Sequence, residues 1–290
     1  MQLYTLLEDN AKTSLENLEI TGLTDDSRKV QSGMVFACIR GERFDGHTAA
    51  AEALEKGAAA VLVDHDLGLG DRQILTEDTR ALYGKLCAAW FGHPERKMRF
   101  IGVTGTNGKT TTTTLTGEIF KRSGRKTYVV GNIGVAVISK ALEADEDDWL
   151  VTETSSFQLE TIMDFRPDVS AILNITPDHL NRHHTMECYI AVKESITSNQ
   201  TEEDTCVLNY DDKVLREFGQ SEELKPKVIF FSSRQKLDDG YYLDGDMIYY
   251  AKNKKAEAVL DVRELNLLGR HNYENVMAAI AISRAMGVPM

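Results

Sequence analysis

Two kinds of hydrophobic run alternate along the chain. Met34–Ile39, Ala59–Val63, Thr127–Val130, Trp149–Thr152, Ser170–Asn174, Cys206–Asn209 and Val228–Phe231 are short and largely apolar. Such runs suit strands buried on both faces of a mostly parallel sheet. Longer amphipathic stretches lie between them and predict helices over Thr48–Lys56, Asp78–Phe91, Thr110–Ser123 and Asn272–Met286. Asp78 is placed to cap the second of these, and Gly92 follows its end. Strand and helix in alternation give an α/β fold built from βαβ units. Tyr241–Leu243, Met247–Ala251 and Ala258–Val262 read as a small antiparallel patch at its border. The polar, proline-containing segment His93-Pro94-Glu95-Arg96-Lys97 makes a credible linker. It divides a small α/β domain (1–98) from a larger one (99–290). The larger domain is expected to be a P-loop-type, mostly parallel sheet flanked by helices.

The larger domain opens on Arg99–Thr113, RFIGVTGTNGKTTTT, where an apolar strand runs into glycines, a lysine and a threonine run. Strand, glycine loop and helix is the context in which GKT means phosphate binding. Glycines let backbone N–H groups curl around phosphate oxygens, and the helix N-terminus adds a favourable dipole. Gly105, Thr106, Asn107, Gly108, Lys109, Thr110 and Thr111 are therefore candidate nucleotide-triphosphate contacts. Lys109 would reach the outer phosphates and Thr110 would ligate Mg²⁺. The strict P-loop has a further glycine where Val103 stands.

Three clusters sit where loops follow later strands, the place where ligands bind in such sheets. In Glu153-Thr154-Ser155-Ser156-Phe157-Gln158-Leu159-Glu160, the first residue is either a Mg²⁺-holding carboxylate or an ordinary exposed strand-end acid. Asn174–His184 crowds Asp178, His179, Arg182 and His183 together, and reads as a metal or anion site or as a solvated loop. His179 and His183, four apart, also match a zinc pair, although no HExxH accompanies them. In Gly269-Arg270-His271-Asn272-Tyr273-Glu274-Asn275, the two asparagines share a helical face suited to an adenine edge, while Asn272 alone also suits an N-cap.

Charge and cysteine usage narrow the class. Lys plus Arg total 33 against 45 Asp plus Glu, for a net charge of −12, which argues against nucleic acid as the main partner. No stretch approaches the roughly 20 apolar residues of a membrane span, and MQLYTLLEDN lacks the regions of a signal peptide. Cys38, Cys87, Cys188 and Cys206 form no CxxC, so the chain is expected to be cytoplasmic and reduced, without membrane insertion. The oligomeric state is not legible.

Taken together, TGTNGKTT (Thr104–Thr111), the Glu153 cluster, DHLNRHHTMECYIAVK (Asp178–Lys193) and GRHNYEN (Gly269–Asn275) resemble the ATP-dependent Mur ligases of peptidoglycan synthesis. Four ordered motifs over about 190 residues make the match specific. Gly131-Asn132-Ile133-Gly134 and ETSSFQLE (Glu153–Glu160) are similar to the member that adds D-glutamate to UDP-N-acetylmuramoyl-L-alanine. DDSRKVQSGMVFACIRGERFDGH (Asp25–His47) instead looks like the UDP-binding domain of members that add the third peptide residue. The chain thus reads as a hybrid, with the catalytic half taken as the guide to the reaction.

The resemblance implies roles. Lys109 and the loop amides would hold the β- and γ-phosphates of ATP, and Thr110 with Glu153 one Mg²⁺. His179 would help hold a second Mg²⁺, and Lys193 matches a lysine that the family carbamylates. Lys193 is otherwise a plain surface lysine. Asn132, Ser155 and Gln158 would face the muramoyl-peptide end of the substrate; Ser27, Arg28 and His47 would grip uridine diphosphate; Asn272 and Asn275 would meet adenine. Asn181 stands where the family usually has aspartate. The implied reaction is attack of a substrate carboxylate on the γ-phosphate to give an acyl phosphate, then displacement of phosphate by the amine of an amino acid. Family members carry a further C-terminal amino-acid-binding domain, so a chain ending at Met290 is expected to bind nucleotide and UDP-sugar and to turn over poorly. The alternatives are a third-residue ligase, a silent Mur-like binding module, and a folylpolyglutamate-synthetase-like ligase, against which the DDSR…DGH unit speaks.

Overall fold

The computed structural model describes residues 1–7, 15, 18–41, 44–93, 97–140 and 143–289. The chain divides into two compact units, Met1–Arg96 and Lys97–Met290.

In the first unit, β1 (Gly22–Thr24), β2 (Met34–Ala37), β3 (Ala60–Val63) and β4 (Gln73–Leu75) form an all-parallel sheet in that order. Helices α1 (Leu3–Leu7), α2 (Ala50–Glu55) and α3 (Thr79–Trp90) cover it. The period-two rule sorts each strand into two cores. Val35, Ala37, Ala60 and Leu62 join Leu6, Leu82 and Leu86 under α1 and α3. Phe36, Val61 and Val63 join Ala50, Ala53 and Leu54 under α2. Asp78 caps α3 as expected, its carboxylate accepting from the Ala81 amide. The helix expected over Thr48–Lys56 starts instead with a 3₁₀ turn, Gly46–Ala49, capped by Asp45.

The second unit is a nine-stranded sheet. In chain order its elements are β5 (Arg99–Thr104), α4 (Lys109–Arg122), β6 (Thr127–Gly131), α5 (Val137–Lys140), β7 (Trp149–Glu153), α6 (Ser156–Leu159) and β8 (Val169–Ile172). Then follow α7 (Leu180–His183), α8 (Met186–Glu194), β9 (Thr205–Asn209), α9 (Lys213–Gly219) and β10 (Lys227–Ser232). The last are β11 (Gly240–Asp244), β12 (Met247–Lys252), β13 (Lys255–Asp261) and α10 (Arg270–Ala285). The spatial order is β13-β12-β11-β10-β9-β8-β5-β7-β6. Pairing is parallel from β6 to β11, and only β11-β12-β13 is antiparallel, as the hydrophobic pattern predicts.

From β5 the chain builds β6 and β7 on one side and then crosses to β8 on the other. The loop after β5 therefore lies at the topological switch point, where a parallel sheet opens a crevice beyond its carboxyl ends. Ile101, Val103, Val151, Ala171 and Val207 face α4 and α10. Ile172, Cys206 and Leu208 face the opposite way, packing with Tyr189 of α8 and Leu215 of α9. The strand expected over Ser170–Asn174 stops at Ile172; the Leu173 amide still donates to Thr104 at the end of β5, and the Asn174 carbonyl accepts from Thr106 in the loop beyond it.

Phe120 of α4 is fully buried, edge-on to Trp149 with ring centroids 4.5 Å apart. Phe120→Ala is expected to cost about 3–5 kcal/mol, read as a lower urea midpoint for the second unit with the slope of the transition unchanged.

Candidate active site

The glycine loop is shaped by backbone that side chains resist. Gly105 and Gly108 have φ of 151° and 82°. A Cβ on Gly108 would lie 2.3 Å from Asn275 Oδ1, so the position requires glycine twice over. The loop is strapped to the segment after β8. Thr106 N–H donates to the Asn174 carbonyl at 3.0 Å, and Asn107 N–H donates to Asn174 Oδ1 at 2.8 Å. Thr106 Oγ1 donates to the Thr176 carbonyl at 3.1 Å. The loop ends in α4, whose N-cap is Gly108 and whose first helical bond runs from Thr112 N–H to the Gly108 carbonyl. The amides of Lys109, Thr110 and half-buried Thr111 are thus the open donors of a helix N-terminus.

Two lysines converge on one carbonyl of this loop. Lys109 Nζ donates to the carbonyls of Gly105 and Thr106, both at 2.9 Å. Lys193 Nζ, from α8, donates to the same Gly105 carbonyl at 3.0 Å. Lys193 is no surface lysine: it is 1% exposed and its Nζ lies 4.8 Å from the Tyr189 ring centre. Burial, with the Lys109 charge beside it, pushes the Lys193 amine down to about 7. Burial also lowers Lys109, against the opposing pull of the Glu153 and Asp178 carboxylates.

Glu153, at the end of β7, is 3% exposed rather than the solvated acid its sequence position allowed. Its Oε2 accepts from Thr110 Oγ1 at 2.8 Å, and its Oε1 accepts from Asn132 Nδ2 at 3.0 Å. A carboxylate and a hydroxyl held together at the crevice are a hard-oxygen pair of the kind Mg²⁺ selects. Ser155 and Gln158, placed from the sequence at the substrate, close a capping box at the start of α6. Gln158 Oε1 accepts from Ser155 N–H at 2.9 Å, and Ser155 Oγ accepts from Gln158 N–H at 3.3 Å.

His179 and His183 do not form a zinc pair. His179 caps α7 in the left-handed region, φ 52°, with a half-exposed ring 3.4 Å from Asp178 Oδ2. The ring of His183 is buried, with Nε2 3.0 Å from Ser156 Oγ and Nδ1 3.1 Å from Glu160 Oε1. Both its nitrogens are therefore used within the protein, and burial lowers its affinity for a proton. Glu160 also accepts from Arg182 Nη2 at 2.6 Å, which holds its carboxyl below the usual range.

At the far end of the loop, a cleft of about 380 Å³ is lined by Asn107, Gly108, Leu173, Asn174, Phe231, His271, Glu274 and Asn275. Asn275 is buried and its Oδ1 accepts from Thr112 Oγ1 at 3.3 Å, tying α10 to α4. Asn272 is not an N-cap: that position is Gly269, and Asn272 Nδ2 donates back to the Leu268 carbonyl at 2.8 Å. His271, Glu274, Asn174, Leu173 and Phe231 were not singled out from the sequence. The first three stand in quoted polar clusters that could have flagged them, whereas Leu173 and Phe231 read only as strand residues.

In the first unit, Ser27 and Arg28 follow β1 and His47 follows β2, at the carboxyl edge of the parallel sheet. Arg28 is exposed and makes a two-pronged pair with Asp26, Nε to Oδ1 and Nη2 to Oδ2, each at 2.9 Å. The Ser27 carbonyl accepts from Lys56 Nζ at 3.1 Å. The buried ring of His47 has Nδ1 2.6 Å from Asp45 Oδ1 and Nε2 3.2 Å from Asp64 Oδ1. His47 thus ties the loop after β2 to the residue after β3.

Comparison with known proteins matches this arrangement to one family. Residues 103–283 fit the model of the Mur ligase middle domain, and residues 19–88 that of the Mur ligase family catalytic domain. The UDP-N-acetylmuramoylalanine--D-glutamate ligase of Lachnospira eligens is 55% identical over 193 residues, covering 67% of this chain and 42% of that protein. Its counterpart in Clostridioides difficile is 56% identical over 184 residues, covering 63% and 40%. The chain therefore spans less than half the length of these curated relatives. Among solved structures, a UDP-N-acetylmuramoyl-L-alanyl-D-glutamate--2,6-diaminopimelate ligase superposes with a TM-score of 0.78 at 24% identity, over 100% of this chain and 64% of that one. MurF from Acinetobacter baumannii follows with a TM-score of 0.70 at 23%, over 100% and 66%. The MurF ligase of Thermotoga maritima in complex with ADP gives 0.66 at 23%, over 94% and 65%. These three likenesses establish the shared fold. No helix among the described residues is long and apolar enough to cross a membrane. With the Mur ligase middle-domain model matched over more than half of this chain, the chain belongs to the Mur ligase family.

Proposed function

We propose that the chain handles ATP and a UDP-muramoyl peptide in an ATP-dependent amide ligase of cytoplasmic peptidoglycan-precursor synthesis, which adds D-glutamate to UDP-N-acetylmuramoyl-L-alanine. The observation that carries the reading is the convergence at the switch point of Lys109, the Thr110–Glu153 pair and buried Lys193. The identity of 55% to a protein named for D-glutamate addition supports the choice of step.

The residues fit the groups that such a reaction needs. Positive φ at Gly105 and Gly108 curls the loop, a side chain on Gly108 would strike Asn275, and the open amides at the start of α4 suit phosphate oxygens. Lys109 would give up its two carbonyl partners and neutralise charge on the transferring phosphoryl group. Thr110 with Glu153, and His179 with Lys193, would hold Mg²⁺, which when bound supplies further charge neutralisation at that phosphoryl group. Asn275 and the cleft beside it would take adenine, with Asn272 supporting Asn275. Asn132, Ser155 and Gln158 lie on the loops after β6 and β7, suited to the muramoyl-peptide end. Ser27, Arg28 and His47 are assigned to uridine diphosphate, with exposed Arg28 the direct phosphate contact and His47 shaping the loop. The substrate carboxylate would attack the γ-phosphate of ATP and release ADP to leave an acyl phosphate, and the amine of the amino acid would then displace inorganic phosphate, lose a proton and form the amide.

A neutral, buried amine is also the form that attacks CO₂. The neutral Lys193 nitrogen would bond to the carbon and lose a proton, leaving an anionic carbamate where an amine stood. That change would supply an oxygen ligand for Mg²⁺.

The function is tested by calorimetric titration with UDP-N-acetylmuramoyl-L-alanine and with its D-glutamyl extension, each with Mg²⁺ and a non-hydrolysable ATP analogue. Tighter binding of the shorter ligand is expected. Preference for the longer one would favour third-residue addition, to which the DDSR…DGH segment of the first unit points. Binding of neither, with nucleotide still bound, would leave a silent module. Lys109→Ala is expected to weaken Mg²⁺–nucleotide binding by about a hundredfold, roughly the 3 kcal/mol of a charge-assisted contact. Isotope-labelled bicarbonate is expected to give a carbamate resonance in the wild type and none in Lys193→Met. In bicarbonate-free buffer the folded-state value of about 7 for Lys193 lies below the ordinary lysine value, so protonation opposes folding. Stability should rise with pH from about 7 towards 10, with part of that slope lost in Lys193→Met.

A further inference from the structure

Resting on the assignment of His179 to metal, we infer that Phe157 is a positioning residue for His179, and that His183 is the bolt that holds Phe157 in place. His179 is unsupported by its own backbone. A non-glycine residue at φ 52° persists only where its surroundings hold it. Its N–H donates to Asp178 Oδ1 at 2.8 Å, and its carbonyl accepts from the amides of Arg182 and His183 at 2.9 and 3.1 Å. These bonds fix where the ring starts, and the ring edge is held by its Nε2, 3.4 Å from the half-exposed Asp178 Oδ2.

The face of the ring is set by Phe157, whose centroid is 4.9 Å away at an interplanar angle of 56°. Phe157 is 40% exposed, an unusual place for a large apolar ring, yet it is enclosed on its other sides. His183 stacks on it at 5.7 Å with an interplanar angle of 19°, and the Arg182 guanidinium lies 5.0 Å from its centre. His183 in turn is pinned to α6 at both nitrogens, through Ser156 and Glu160. Glu160 takes Arg182 as well. Helices α6 and α7, each only four residues long, are thereby joined into one block by side chains. The same α6 begins three residues after Glu153, so the block links the end of β7, which carries Glu153, to the start of α7, which carries His179.

This predicts that Phe157 acts on metal through His179 and not by itself. Mn²⁺ affinity of the 290-residue chain, in the presence of a non-hydrolysable ATP analogue, is read by electron paramagnetic resonance for wild type, Phe157→Leu, Phe157→Tyr, His179→Ala and the Phe157→Leu/His179→Ala double variant. Phe157→Leu is expected to weaken Mn²⁺ by about tenfold, in the range seen for residues that orient metal ligands. Metal-free nucleotide affinity and Tm should stay unchanged, and Phe157→Tyr should bind as wild type. The double variant should lose no more than His179→Ala alone, because both changes remove one interaction. Losses that add in the double variant, or a Phe157→Leu chain that binds Mn²⁺ as wild type while His179→Ala does not, overturn the positioning role and leave the metal assignment standing. A His179→Ala chain with wild-type Mn²⁺ affinity overturns both.

Discussion

The carbonyl of Gly105 accepts from two lysines, and much of the catalytic unit is arranged so that it can. Two ammonium groups within reach of one oxygen repel each other, and Lys193 is also buried. Burial first, and the Lys109 charge second, lower the Lys193 amine to about 7. A neutral amine keeps its hydrogen-bond donors without the charge. Burial lowers Lys109 as well, against the Glu153 and Asp178 carboxylates that favour its charged form.

This pairing requires the loop to be rigid before any ligand arrives, and the straps on it come from distant sequence. Asn174, Thr176 and Tyr189 hold Thr106 and Asn107 from one side, and Asn275 crowds Gly108 from the other. Parallel topology makes this possible, because every strand end on the same edge contributes a loop to the same crevice. Pre-organisation of this kind lets charged groups act without first reorganising their surroundings.

Much of this was legible in the residues. Continuous apolar runs marked the buried parallel strands, and the break in that pattern after Val228–Phe231 marked the antiparallel border. The glycine loop announced itself because its chemistry lies in consecutive residues. What could not be read was whatever depends on partners far away in the chain. Nothing near Glu153 reveals that Thr110 and Asn132, 43 and 21 residues away, draw it into a buried pair. Nothing near Lys193 shows that its helix turns it towards a carbonyl 88 residues earlier. His183 looked equivalent to His179 by spacing, and only burial against Ser156 and Glu160 separates them. Ser155 and Gln158 show the reverse case: a capping box is a purely local pattern, present in the sequence as S-x-x-Q.

The contact between Gly108 and Asn275 also has a mechanical meaning. Helix α10 is a rod of 16 residues, about 24 Å long. Its first two turns carry the cleft residues His271, Glu274 and Asn275, and its middle is clamped by side chains of the sheet and α4. Asn275 stands against a glycine that has no side chain to cushion it. A tilt of the rod is therefore delivered to the glycine loop with little slack, and a force applied at the Ala285 end would be felt at the backbone of Gly108.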